Sequence, residues 1–82
     1  MYMIHQTPGR WYLLEESGIA GYGVAIAARN MNTFHEESVP SGPWEIGDRS
    51  HFPTEEATEL PDEVARIFLE EIKRDNPDYE ER

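Results

Sequence analysis

Two histidines beside carboxylates are the first candidates for chemistry: His35 within His35-Glu36-Glu37, and His51. Imidazole with carboxylate can hold a transition metal or move a proton near neutral pH. The spacing matches neither HExxH nor another standard ligand set. On a strand, His35 and Glu37 would share a face and Glu36 would point away, leaving two ligands and a distant third. A small metal-dependent or acid–base enzyme built on His35 and His51 is therefore an alternative reading, not the leading one. The run Gly18-Ile19-Ala20-Gly21-Tyr22-Gly23 has the glycine content of a phosphate loop. It lacks the GxGxxG order, the P-loop lysine and a following helix. A hairpin connection that needs positive φ accounts for it better. No serine or threonine stands in a GxSxG or SxxK frame, so nucleophilic catalysis has no support. The chain reads as having no catalytic, cofactor or metal site.

The carboxylates are the remaining constellation. Residues 1–35 carry Arg10 and Arg29 against Glu15 and Glu16 and sum to zero. Residues 36–82 carry fifteen acids against five bases, which accounts for the whole net charge of −10. Within 36–60, Glu36, Glu37, Glu45, Asp48, Glu55, Glu56 and Glu59 stand against Arg49 alone. Such a surface opposes nucleic acid and anionic membranes as direct partners. It attracts a basic groove on a protein over a Debye length of about 8 Å at physiological salt. Trp44 and Phe52 lie in the same stretch, and an exposed aromatic supplies the desolvated anchor that charges lack. Those seven acids with Trp44 and Phe52 form the expected partner-binding surface. A merely solubilising face is the competing reading of the same charges. Base stacking by the aromatics would need a basic track, which is missing.

Positioning these residues falls to a short list of elements. Residues 1–6 read as a strand with Tyr2 and Ile4 on one face and Met1, Met3 and His5 on the other. Thr7-Pro8-Gly9-Arg10 predicts a type II turn, with glycine at its positive-φ position. Residues 11–16 return as a second strand, apolar on both faces (Trp11 and Leu13, Tyr12 and Leu14). That is the pattern of a central strand covered by a helix on one side and a loop on the other. Residues 22–29 predict a third strand, 30–32 a turn, and 33–38 a weaker fourth strand. Pro40, Gly42, Pro43, Gly47 and Pro53 break every period over 39–53, which reads as a long loop. Trp44, Ile46 and Phe52 are too apolar for a free linker, so they either pin it or form a contact surface.

Thr54 is placed to cap a short helical turn over 55–59. Pro61 suits a first helical position, with Asp62 and Glu63 at the positive end of the helix dipole and Lys73 and Arg74 at the negative end. Leu60, Val64, Ile67, Phe68 and Ile72 form the expected apolar stripe, and Asn76-Pro77 stops the helix.

The fold class expected is α+β: a three- to four-stranded antiparallel sheet with one C-terminal helix packed on one face. Residues 1–77 form a single domain and 78–82 a frayed acidic tail. The chain has no cysteine, which excludes disulfides and thiol chemistry and fits a cytoplasmic location. It shows no readable signal peptide and no apolar run of the ~20 residues a membrane span requires. The leading functional expectation is a non-enzymatic protein-binding module, an acidic inhibitor or adaptor that occludes a basic, nucleic-acid-handling surface of its partner. Small acidic domains of this kind are common among phage-encoded antagonists of restriction and CRISPR machinery, a likeness of size and charge alone. A structural subunit of a homo- or hetero-oligomer is the other non-enzymatic alternative.

Overall fold

Alternating apolar residues and a Pro-Gly turn build the N-terminal hairpin, β1 (Tyr2–Gln6) and β2 (Arg10–Glu16), paired antiparallel from Tyr2↔Glu15 to Gln6↔Trp11. The computed structural model describes residues 1–79. Gly9 does not take positive φ, so the connecting turn is not type II. It is closed instead by paired bonds between Thr7 and Arg10, with the Thr7 hydroxyl donating to the Arg10 carbonyl at 2.6 Å. Gly18 and Gly21, both at φ +83°, do supply left-handed backbone to the connection after β2.

β3 (Tyr22–Phe34) runs 13 residues and organises everything else. One edge pairs with β2. The other meets β4 (Glu37–Pro40), β5 (Glu45–Ile46) and β6 (His51–Pro53) in succession. Asn30-Met31-Asn32 is not a turn. Met31 is buried, and its N–H donates to the Gly9 carbonyl at 3.0 Å, which holds the strand extended. The chain reverses instead at His35-Glu36, inside the stretch expected to be a continuous strand. Between Leu13 and Leu14 the register with β3 shifts, passing from Ala27 to Ala25 and leaving Ile26 as a bulge. Ile26 and Ala27 consequently face the same core cluster, which simple alternation forbids.

After β6 comes a 3₁₀ turn (Thr54–Glu56) and then β7 (Thr58–Glu59), which pairs with Met3 and Ile4. A short strand therefore stands at residues 58–59, the end of the helical turn expected over 55–59. The full strand order is β4-β3-β2-β1-β7. Residues 51–59 pair with β3 at one end and β1 at the other, so they must cross a face of the curled sheet as a strap. Phe52 and Ala57 of the strap cover Met3, Leu14 and Ala25. The opposite face carries α1 (Asp62–Asp75), packing Leu69 and Ile72 onto Ile4, Leu13, Ile26, Ala27 and Trp44. β2 is thus covered on both sides, as its two apolar faces require.

The architecture of the described residues is α+β, an antiparallel curled sheet with one C-terminal helix, but with seven strands in place of three or four. The extra ones are two or three residues long, too short to show a period of two. α1 begins after Pro61, which flanks it in extended conformation, and its buried positions are Ala65, Leu69 and Ile72. Of the expected stripe Leu60, Phe68 and Ile72 meet the core, but the buried face is rotated toward Ala65 and Leu69 and leaves Ile67 54% exposed. Tyr79 packs against the helix-side core. Of the tail expected over 78–82, residues 80–82 lie outside the described residues.

Candidate partner-binding surface

The far half of β3 and all of β4 leave the body of the protein as an arm. Every residue from Asn32 to Ser41 is exposed. A two-residue connection, His35-Glu36, joins the directly paired Phe34 and Glu37. Both connecting residues have positive φ, at 49° and 68°, the requirement of a type I′ turn. Asn-Gly meets that requirement without strain, whereas glutamate at the second position does not. Phe34, 65% exposed, stands on the same hairpin face as Glu37 and, one step on, Val39. The arm tip therefore presents an aromatic ring flanked by Glu36 and Glu37.

The arm is fixed at its feet. Thr33 Oγ1 donates to the Pro8 carbonyl at 3.1 Å. Arg29 Nε, at the start of the arm, donates to the Gly42 carbonyl at 2.6 Å, just beyond its end. Trp44 follows. Its backbone N–H donates to Asp75 at 2.9 Å, its indole N–H donates to Glu71 at 3.1 Å, and its carbonyl accepts from Asn76 Nδ2 at 2.8 Å. The Arg29 guanidinium lies 5.8 Å from the Trp44 ring centre and 3.7 Å from Glu71. Asp75 is held below the usual carboxylate range, first by the Trp44 N–H and then by the Arg74 side chain. This clamp ties the loop beyond the arm to the C-terminal end of α1.

Trp44 is 2% exposed, so its side chain is out of a partner's reach: it pins the loop rather than anchoring a ligand. Phe52 is half-buried, packed 4.7 Å from Tyr12 and 5.1 Å from His5 between ring centres. The seven carboxylates fall in three groups. Glu36 and Glu37 form the arm tip. Glu45 pairs with Arg10 at 3.1 Å, and Asp48 bonds Ser50, whose hydroxyl and backbone N–H lower its pKa. Glu55, Glu56 and Glu59 lie on the strap, and β7 and β4 are the two ends of the strand order. No single face holds all three groups. The aromatic that does stand among exposed carboxylates is Phe34, the last residue of β3, two positions before the acidic stretch that supplied the expected surface.

His51 pairs with Val24 and His35 follows Phe34, so the two lie eleven positions apart along β3. At ~3.3 Å per residue that is on the order of 30 Å, too far to share an ion. Among the described residues there is no group of three or more metal-ligating side chains. None of the described helices is long and apolar enough to cross a membrane.

Arg10, Arg29, Arg49 and Arg74 each lie within 4.0 Å of a carboxylate. Glu36, Glu37, Glu55, Glu56 and Glu59 are exposed and make no ion pair among the described residues. The surplus negative charge is therefore presented to solvent. Comparison with protein-family models, curated proteins and solved structures finds no match to this chain.

Proposed function

We propose that this chain is a non-enzymatic protein-binding module, a cytoplasmic inhibitor or adaptor whose arm docks on a basic, nucleic-acid-handling surface of a partner protein. The observation that carries this reading is the arm tip: Phe34, 65% exposed, flanked by Glu36 and Glu37 on a clamped hairpin. A ring 65% exposed keeps most of its apolar surface in solvent in the folded chain. At an interface the same ring fills a pocket while its flanking carboxylates select a basic rim.

Charge density supports the same partner chemistry. Residues 1–79 carry nine net negative charges along a longest dimension of 36 Å, about one per 4 Å. A single nucleic-acid strand carries one per ~3.4 Å. A groove evolved to hold such a strand would meet a comparable field here, as with the small acidic antagonists that phages encode.

The test is capture of partners on the immobilised chain with elution by a salt gradient. Binding should weaken steeply as salt rises. Phe34→Ser should weaken it at all salt concentrations, and Glu36→Lys with Glu37→Lys should remove much of the salt dependence. Retained binding in both variants, with melting temperatures unchanged, would refute the arm as the docking element.

A further inference from the structure

The stretch that turns at His35-Glu36 reads, by residue type, as one continuous strand. Residues 33–38 contain no glycine, proline or asparagine. The backbone nevertheless reverses there within two residues, with Glu36 at φ +68°. A glutamate in left-handed backbone is strained, whereas the same residue in an extended strand is not. Local preference and folded geometry conflict at this one place. A short connection under strain is the condition under which two copies of a chain exchange identical halves.

The division that the turn makes suits such an exchange. Residues before it supply β1, β2 and β3, and residues after it supply β4 to β7 and α1. Within the second part Trp44 is bonded to Glu71, Asp75 and Asn76, so its loop and α1 travel together. The ion pairs Arg10–Glu45, Arg29–Glu71 and Arg49–Glu15 all cross the division. The net charge of −10 lies wholly after residue 35, so an acidic half attracts a neutral half and repels its own kind. A second copy offers each half the same complement, residue for residue, that its own chain does.

The arm keeps the charge cost of pairing low. Every residue from Asn32 to Ser41 is exposed, so opening the turn displaces nothing in the body. Extended backbone at ~3.3 Å per residue makes the stretch from Asn30 to Phe34 roughly 13 Å long. Two such arms end to end hold the acidic bodies roughly 26 Å apart, about three Debye lengths at physiological salt.

We infer that a second copy of this chain is a partner: each copy docks its β4-to-α1 half on β1–β3 of the other, with His35 and Glu36 extended as the hinge. The inference goes beyond the protein-binding reading and does not rest on it. It bears on that reading as a control, because an extended hinge abolishes the tip on which Phe34 stands. The halves part only when the core opens, so the dimer forms on refolding at high concentration and persists on dilution.

The chain has no cysteine, so an introduced disulfide reports which copy supplies β4. Thr33 and Ser38 are direct cross-strand partners, and Thr33→Cys with Ser38→Cys places two thiols within disulfide reach. This variant is refolded from urea under reducing conditions, concentrated or dilute, and then oxidised. Exchange predicts a dimer by light scattering after concentrated refolding, its chains linked in a denaturing gel until the disulfide is reduced. Closing the disulfide in the monomer beforehand should prevent the dimer. In the otherwise unchanged chain, His35→Asn with Glu36→Gly should lower the dimer association constant by on the order of tenfold. Added salt should raise that constant, the reverse of its effect on a basic partner. A dimer whose oxidised chains separate in the gel would overturn the inference. So would the absence of any dimer after concentrated refolding, or a dimer fraction that the two turn substitutions leave unchanged.

Discussion

The indole N–H of Trp44 donates to Glu71 across 3.1 Å, tying the loop beyond the arm to the helix. Trp44 adds two backbone bonds to the same helix end and packs its ring 5.6 Å from Phe68. One buried side chain therefore joins arm, sheet and helix. Trp44→Phe keeps most of the packing and deprives Glu71 of a donor, so it should cost about 1–3 kcal/mol. Trp44→Ala should cost about 3–5 kcal/mol, and urea unfolding measures both. A Trp44→Ala variant as stable as the parent would mean that the clamp holds nothing.

The same clamp makes a pH prediction. The Trp44 N–H, with the Arg74 side chain second, holds the Asp75 pKa below its ordinary value of 3.8. A carboxylate depressed by folding stabilises the native state above its unfolded pKa, and that contribution is lost as pH falls through the folded one. The stability difference between the parent and Asp75→Asn should therefore be largest above about pH 4 and shrink below it. Asparagine keeps an acceptor for the Trp44 N–H, so the fold persists and the comparison isolates the charge. A difference that stays constant down to the acid limit would disprove the assignment.

On the helix, Leu69 and Ile67 should answer oppositely. Leu69 is buried in the helix-side core, so Leu69→Ala should cost about 2–5 kcal/mol. Ile67 is 54% exposed, so Ile67→Ala should stay within about 0.5 kcal/mol. Denaturant midpoints of the two variants decide between the observed face and the one the sequence suggests.

That rotated face marks the limit of what the residues reveal. The helix ends were legible because Pro61, Asp62, Glu63, Lys73, Arg74 and Asn76 act locally, through dihedrals, dipole and capping. The central place of β2 was legible because Trp11, Tyr12, Leu13 and Leu14 are apolar on both sides. The helix face was legible in part: Leu60, Phe68 and Ile72 do meet the core, but Val64 and Ile67 fit the helical period as well as the buried Ala65 and Leu69 do. The turn at His35-Glu36 was hidden because neither residue is a turn former, while Asn30 and Asn32 mimic one. With the turn hidden, nothing marks Phe34 as the end of an arm, and Trp44 and Phe52, inside the acidic stretch, stand as the expected aromatics instead.

Gly47 shows how closely that loop approaches β3. A Cβ on it would stand 2.6 Å from the Ala25 carbonyl oxygen and 2.9 Å from backbone carbons of Ala25 and Ile26. Its N–H also donates to the Ile26 carbonyl at 2.8 Å. Backbone on a central strand cannot yield, so Gly47→Ala should cost about 1–3 kcal/mol. Gly42→Ala, in open space, should be close to neutral. Thermal melts of the pair give the comparison, and equal melting temperatures would contradict the close approach.

The arm tip separates stability from binding. His35 and Glu36 hold left-handed backbone that asparagine and glycine adopt readily. Replacing them together, His35→Asn with Glu36→Gly, should stabilise the protein by roughly 1 kcal/mol through relief of that strain. The change also removes a carboxylate beside Phe34, so partner affinity should fall while the melting temperature rises. A pair that raised stability and left affinity intact would assign the strain to the turn alone and restrict docking to Phe34 and Glu37. Opposite movement of the two quantities is what a tip shaped for contact requires.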